Sequence, residues 1–347
     1  MELLIYNTSR QLTGILESIE YFKWTRRYSK AGSFTIKAIG SSENAALLQI
    51  GNYVWKNDDQ EIGMIEHLEL SQTDKEMITV SGRFATAILD RRIIWGTEYL
   101  NGDVGTCIGQ LVENHLVNPF DPNRQVDYVS FVSPSFSVPV HNQVSYKNLY
   151  EVVTDLCDAA DVGIRTVFTP QTGAMVISLY QGVMTQAVFS REYENLISQT
   201  FIHNITESRD TVVVAGEGDG DERMLVSIDG ASGEDRREMF VDARDLQSEN
   251  FPDNYEQALL FRGQSKLVEF GDVKSFDGEI NVRSSLQYKV DFDLGSIVTV
   301  QAKRWGMAMQ ARITEITESY DANGASIDVV FGRGMLTLIE RLRRSDI

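Results

Sequence analysis

The sequence predicts a mainly β chain with an α/β middle, in which two similar small antiparallel β-barrels are joined through an inserted α/β domain. A glycine-punctuated run of alternating apolar residues occurs at 51–92 and again at 295–341. Apolar stripes with helical spacing fall mainly between these copies. A chain of 347 residues with 42% hydrophobic content is also larger than one core normally serves, so two or three units are expected.

The first copy contains Gly51-x-x-Val54, Gly63-Met64, Ile65-x-x-Leu68-x-Leu70, Ile78-x-Val80-x-Gly82-Arg83 and Leu89-Asp90-Arg91. The second contains Gly295-x-x-Val298, Gly306-Met307, Ile313-x-x-Ile316, Ile327-x-Val329-x-x-Gly332-Arg333 and Ile339-Glu340-Arg341, with Asp321-Ala322-Asn323-Gly324 as its turn. Apolar residues two apart, bounded by Gly, Asn and Asp, specify half-buried antiparallel strands. The preceding segments, 33–38 and 285–290, are read as matching strands. Closing each sheet into a barrel would remove edges that alternating strands otherwise expose.

Residues 2–39 also read as strands, and 1–98 are assigned to the first module. In Trp24-Thr25-Arg26-Arg27-Tyr28 the aromatics are expected to pack and the arginines to pair with carboxylates. From 99 to 187 the texture is α/β: a helix over 106–116, a proline-containing loop to 140, a helix over 145–160, then strands over 164–168 and 175–180 around Thr172-Gly173. Cys107 and Cys157 lie on or beside apolar helix faces and are read as inert core residues.

The second β module is assigned to 188–231 and 285–347, with about 232–284, including an amphipathic helix over 254–267, joining the middle domain. Val212-Val213-Val214 followed by Gly216-x-Gly218-x-Gly220 superficially suggests a dinucleotide loop. The next segment is strand-like and the loop is acidic, so a hairpin is the better reading. Asp219 and Asp221 could hold calcium, although they lack EF-hand spacing.

The net charge of −18, from 50 acidic and 32 basic side chains, argues against a nucleic-acid-gripping scaffold. Two cysteines without Cys-x-x-Cys spacing support neither a disulfide framework nor a zinc site, and no run approaches the ~20 apolar residues of a membrane span. His67, His115, His141 and His203 accompany no catalytic motif. No catalytic, cofactor-binding or metal residue is predicted.

Several blocks resemble the tail-hub proteins of siphophages and related prophages, a family akin to the baseplate hub of contractile-tailed phages. They are Trp24-x-Arg26-Arg27-Tyr28-x-x-x-Gly32-x-Phe34, Gly63-Met64-Ile65-Glu66, Gly82-Arg83 with Leu89-x-x-Arg92, and Arg237-Glu238-x-x-Val241-Asp242-Ala243-Arg244. The most specific is Tyr288-x-x-Asp291-x-Asp293-Leu294-Gly295-x-x-Val298-Thr299-Val300, followed by Arg312-Ile313-Thr314-Glu315-Ile316 and Phe331-Gly332. Ser296 departs from the acid usual after that glycine, which puts that acid's contact in doubt.

The resemblance implies a baseplate-hub-like, non-enzymatic virion protein. It would be made in the bacterial host cytoplasm and form a homotrimer at the tail tip, where two modules per chain match a sixfold tube to a threefold tip. Implied partners are distal tail or tube proteins and tip or receptor-binding proteins, with DNA passing through without specific binding and no stable membrane insertion. The acidic turns at Asp58-Asp59 and 219–222 are candidates for lining the channel. The chain stops at Ile347, directly after the second module, which suits a hub without the hydrolase that some family members carry. The rivals are a peptidoglycan or glycan hydrolase and a receptor- or carbohydrate-binding tail module.

Overall fold

The structure is a computed structural model describing residues 2–72 and 74–332. Its first β unit comprises β1 (Leu3–Tyr6), β2 (Leu12–Ile15), β3 (Ile19–Arg27), β4 (Ser33–Ile39), α1 (Ser42–Leu47), β5 (Tyr53–Lys56), β6 (Ile62–Gln72) and β7 (Glu76–Phe84). The middle unit follows with β8 (Thr97–Asp103), α2 (Val104–Val112), β9 (Val129–Val132), β10 (Pro139–Ser145), α3 (Leu149–Ala160), β11 (Gly163–Thr169) and β12 (Ala174–Tyr180). After β13 (Met184–Ser190) and β14 (Thr200–Asn204) comes a small unit of β15 (Thr211–Ala215), β16 (Leu225–Ile228), β17 (Glu238–Asp242) and α4 (Tyr255–Glu269). The described chain ends with β18 (Val273–Glu279), β19 (Ile297–Ala302), β20 (Met307–Asp321) and β21 (Gly324–Gly332).

The two β units are built alike. Strands β3-β4-β7-β6-β5-β1 lie side by side in the first, and β14-β18-β21-β20-β19-β13 in the second. Gly51 and Gly295 both turn left-handed, with φ of 86° and 87°, a conformation glycine adopts without penalty. Each sits in a reciprocal backbone clasp: Gly51 N–H donates to Ile65 O and Ile65 N–H to Asn52 O, as Gly295 does to Ile313 and Ile313 to Ser296. A bulge follows in both copies, at Ile65/His67 and Ile313/Glu315, after which Leu68 pairs with Val80 and Ile316 with Val329.

Other parts of the expected correspondence fail. Gly63 lies within β6 opposite Val54, whereas Gly306 is a left-handed turn residue before β20. The second counterparts of Gly63-Met64 are Ala311-Arg312, because the β19–β20 hairpin extends further. Residues 285–290 are irregular instead of a strand, with one isolated bridge from Tyr288 to Phe292. The counterpart of β4 is β18, paired with β14 and β21. The innermost partners also differ, since β1 runs antiparallel to β5 while β13 runs parallel to β19. Arg333 and 339–341 lie outside the described residues.

Strand β20 joins the units. Its first part pairs with β19, and its later part pairs with β21 on one edge and β3 on the other, making one 13-stranded sheet. The sheet is strongly curled. In a flat sheet, the five steps from β20 to β5 would span roughly 24 Å, yet Lys56 at the end of β5 lies 2.9 Å from Glu318 of β20. Among the described residues the backbone ladder ends at β2, β13 and β14, so the expected barrel closure is absent from these pairings and side chains bridge the seam.

The expected 106–116 helix appears as α2 followed by a wider turn over Glu113–Val117. The next helix begins later than predicted, because Ser145 pairs with Thr97 in the β10–β8 ladder and Asn148 is the N-cap, accepting from Glu151 N–H at 3.2 Å. The proline-containing loop hides β9, which pairs parallel with β12. The hairpin expected after Val214 is β15–β16, whose sheet carries α4 on one face. Asn254 occupies the N-cap of α4 without a side-chain capping bond. That helix also packs on α3 and β10. Both cysteines are buried and free, and desolvation pushes the Cys107 thiol up to about 11. No helix among the described residues is long and apolar enough to cross a membrane.

Candidate functional site

The densest chemistry lies at the seam where the two β units meet the middle unit. Trp24, on β3, is fully buried and its indole N–H donates to Asp59 Oδ2 at 2.9 Å. Asp59 sits in the β5–β6 turn, and its other oxygen accepts the Glu61 backbone N–H at 3.0 Å. Alternation along β3 places Arg26 beside this carboxylate, its Nε 3.6 Å from Asp59 and 3.7 Å from Glu61. The far side of the guanidinium crosses to the second unit, donating to Tyr288 Oη at 3.1 Å and Asp293 Oδ1 at 2.7 Å. Glu61 forms an isolated backbone bridge with Val167, adding the middle unit to the junction.

A second ionic bridge lies along the same seam. Lys56 Nζ donates to Asp58 at 2.6 Å and Glu318 at 2.9 Å, and Lys289 reaches the Asp58 carbonyl at 2.7 Å. Between the bridges, β3 and β20 pair directly, with Thr25 and Thr317 hydroxyls 3.0 Å apart and Arg27 donating to Glu315 at 2.7 Å. Tyr28 donates to the Asp161 carbonyl, and Arg312 stacks over Tyr28 while pairing with Asp161.

The aromatics of the 24–28 cluster therefore pack and its arginines meet carboxylates, as the sequence suggests. Which carboxylates was not legible, because Asp59, Asp293 and Glu315 are distant along the chain and only strand pairing brings them near. The one available signal was that the 288–295 and 24–28 blocks both concentrate Tyr, Arg and Asp. At the position where an acid is usual, Ser296 accepts the Asp293 N–H at 3.1 Å and closes the turn that presents Asp293. Of the acidic turn at Asp58-Asp59, Asp59 is corrected as a channel-lining candidate, since it is 8% exposed and its oxygens are taken by Trp24 and the Glu61 backbone, whereas Asp58 stays half exposed beside Lys56 and Lys289.

Burial opposes charge on Arg26, but Asp59, Tyr288, Asp293 and Glu61 hold its pKa well above the ordinary value. Desolvation pushes Glu61 up to about 8, despite the opposing pull of Arg26. A raised glutamic acid beside an aspartate resembles a hydrolytic pair, yet Glu61 and Asp59 are both buried in the seam. The arrangement binds three units together. Among the described residues no group of three or more His, Cys, Asp and Glu side chains is placed to hold a metal ion. His115 is buried against Glu98, His203 meets Asp272, and His67 and His141 lie on β6 and β10.

Residues 2–333 match the family described as Siphovirus ReqiPepy6 Gp37-like protein. The chain belongs to that siphovirus family. Its fold is shared with three solved tail proteins. The prophage MuSo2 43 kDa tail protein of Shewanella oneidensis is 13% identical with a TM-score of 0.62, covering 96% of this chain and 98% of that one. Prophage tail protein gp18 of Listeria monocytogenes is 12% identical, TM-score 0.61, covering 100% and 98%. The tail protein of Neisseria meningitidis is 11% identical, TM-score 0.60, covering 95% of each chain. No curated protein matches. This Gp37-like chain therefore has the fold of phage tail proteins.

The raised Glu61 gives this Gp37-like chain a pH signature. Its ordinary pKa is 4.5 and its folded value about 8, so between these the folded chain holds a proton that the unfolded chain has released. Its stabilising contribution is complete below 4.5 and is lost as pH rises through 8. In Glu61→Gln, the fall in stability between pH 5 and 8.5 should shrink by a few kcal/mol, on the order of the shift, in urea unfolding across pH. An unchanged slope would mean that Glu61 stays ionised.

Proposed function

We propose that three copies form the hub at the tip of a phage or prophage-derived tail, adapting a sixfold tube to a threefold tip. The observation that carries this is the β3–β20 joint between two like units. Strand β14 is the counterpart of β3, and β6 that of β20. Among the described residues β14 pairs only with β18, and β6 beyond the bulge pairs only with β7, leaving matching edges free. Repeating the internal joint between chains places Phe201 opposite Leu70, Ile202 opposite Glu69 and His203 opposite Leu68. Leu70 is 63% exposed in the single chain and gains an aromatic neighbour this way.

Such a contact is head-to-tail, so it closes only as a ring, and three chains supply six units. On this reading the units divide at 1–98, 99–187 with about 232–284, and 188–231 with 285–347, except that β15–β17 and α4 keep a small core of their own and β18 completes the second β unit. Distal tail or tube proteins would sit on one side and tip or receptor-binding proteins on the other. DNA would pass without specific binding, past acids such as those of the exposed 219–222 loop, because a basic lining would form counterion-releasing contacts at each step.

The test uses Glu69→Cys with Ile202→Cys, the inter-chain counterparts of the facing Thr317 and Thr25. Mild oxidation should yield a covalent trimer, whereas Glu69→Cys with Thr200→Cys, two residues along β14 from opposition, should link far less. Monomers only, or equal linking by both pairs, would defeat this ring.

A further inference from the structure

A cavity of about 310 Å³ opens beside the end of the first β unit, lined by Asp90, Arg91, Arg92, Ile93, Trp95 and Arg124 among others. Its three guanidinium groups are held differently from most arginines of the seam. Arg92 donates from Nε to Arg124 O at 3.0 Å and from Nη1 to Arg91 O at 3.0 Å, and Arg124 donates to Ile93 O at 2.5 Å. Arg91 lies against the Met64 sulfur. Among the described residues none of the three forms an ion pair with a carboxylate. The acid that lines the cavity, Asp90, is engaged by Arg83 at 2.8 Å and Asn148 at 3.0 Å. Burial, Arg124 and Arg91 lower the pKa of Arg92, as expected where like charges converge without a counter-ion.

Three cations, two held on backbone carbonyls and one against a thioether sulfur, form an exception to the acidic surface of a chain of net charge −18. Beside them Trp95 and Ile93 are 67% and 43% exposed, and the Arg124 guanidinium stands 5.7 Å from the Trp95 ring. Tryptophan and arginine are both among the residues enriched at energetic centres of protein interfaces. We infer that this cavity binds an acidic peptide segment of another protein, with carboxylates received by Arg92 and Arg124 and an adjacent apolar side chain resting on Ile93 and Trp95. A nucleic acid fits less well, since a long polyanion leaving so small a basic patch would run over a predominantly acidic chain, and Ile93 offers it no stacking surface. This assignment does not depend on the trimeric reading.

The experiment is fluorescence polarisation on the full chain with a labelled Leu-Glu-Glu-Leu-Glu peptide, its Leu-Gln-Gln-Leu-Gln analogue and a thymidine oligonucleotide. The acidic peptide should bind with an affinity that falls as salt rises, and the glutamine analogue should not. Arg92→Ala and Arg124→Gln should each weaken binding by about tenfold or more, while Arg283→Ala, outside the cavity, should not. Thermal unfolding checks that each variant is folded, and either arginine variant alone suffices if the other is not. Absent binding, equal binding of the glutamine analogue, tighter binding of the oligonucleotide, or unchanged affinity in the folded variants would overturn the assignment. Loss of self-association in Arg124→Gln would also overturn it, because the occupant would then be a second copy.

Discussion

Replacing Lys56 with methionine should destabilise the first β unit by about 3–5 kcal/mol, the cost typical of breaking a buried ion pair by removing one partner. The Lys56 side chain is 0% exposed and that of Glu318 5%, so neither charge can recover water where it stands. Desolvation opposes the Lys56 charge, but Glu318 and Asp58 outweigh it and raise the pKa. Without the ammonium group, Glu318 keeps, among the described residues, only the Tyr320 hydroxyl at 3.3 Å, whereas Asp58, half exposed, can rehydrate. The double variant Lys56→Met with Glu318→Leu should recover most of the loss, since apolar replacement of a whole buried pair is often neutral or stabilising. Urea unfolding followed by tryptophan fluorescence reads the unit directly, because Trp24 and Trp55 lie in it. A single-variant cost below about 1 kcal/mol would show that the pair behaves as a surface ion pair.

Gly82→Ala should be as damaging for a different reason. A Cβ at Gly82 would stand 1.8 Å from the Met64 carbonyl oxygen and 2.9 Å from its carbon, where β7 meets the β6 bulge. Backbone cannot yield as a side-chain tip can, so the ladder would have to part. That movement would also drag Arg83 from its paired contacts with Glu66, at 2.8 and 2.9 Å, and from Asp90. A loss of about 3 kcal/mol or more is expected, measured as a lower unfolding midpoint and soluble yield. Gly14→Ala is the control: its new Cβ would meet only the flexible Leu47 side chain, and it should cost under about 1 kcal/mol. Equal effects at both sites would mean that the bulge is plastic.

Local pattern by itself determined much of this protein. Alternation with Gly51 and Gly295 marked two copies of one meander, and the structure gives these glycines the same left-handed turn and backbone clasp. Helical spacing located α2, α3 and α4 to within a few residues, because a buried stripe constrains side chains only three or four positions apart. The packing of Trp24 and Tyr28 was legible for the same reason, since apolar area is withdrawn from water whatever covers it.

Only the tertiary structure decided which elements meet. Gly63-Met64 and Gly306-Met307 look alike as letters but occupy a strand and a turn, and β18 was masked by the helix-bearing segment before it. The joint of β3 with β20 connects residues 292 positions apart at Thr25 and Thr317, and Arg26 finds Asp293 across 267. Periodicity reports which face of a strand is buried, not which strand lies at its edge. The partner of a buried charge is set by the path of the backbone between them, and that path is chosen by the packing of the whole chain.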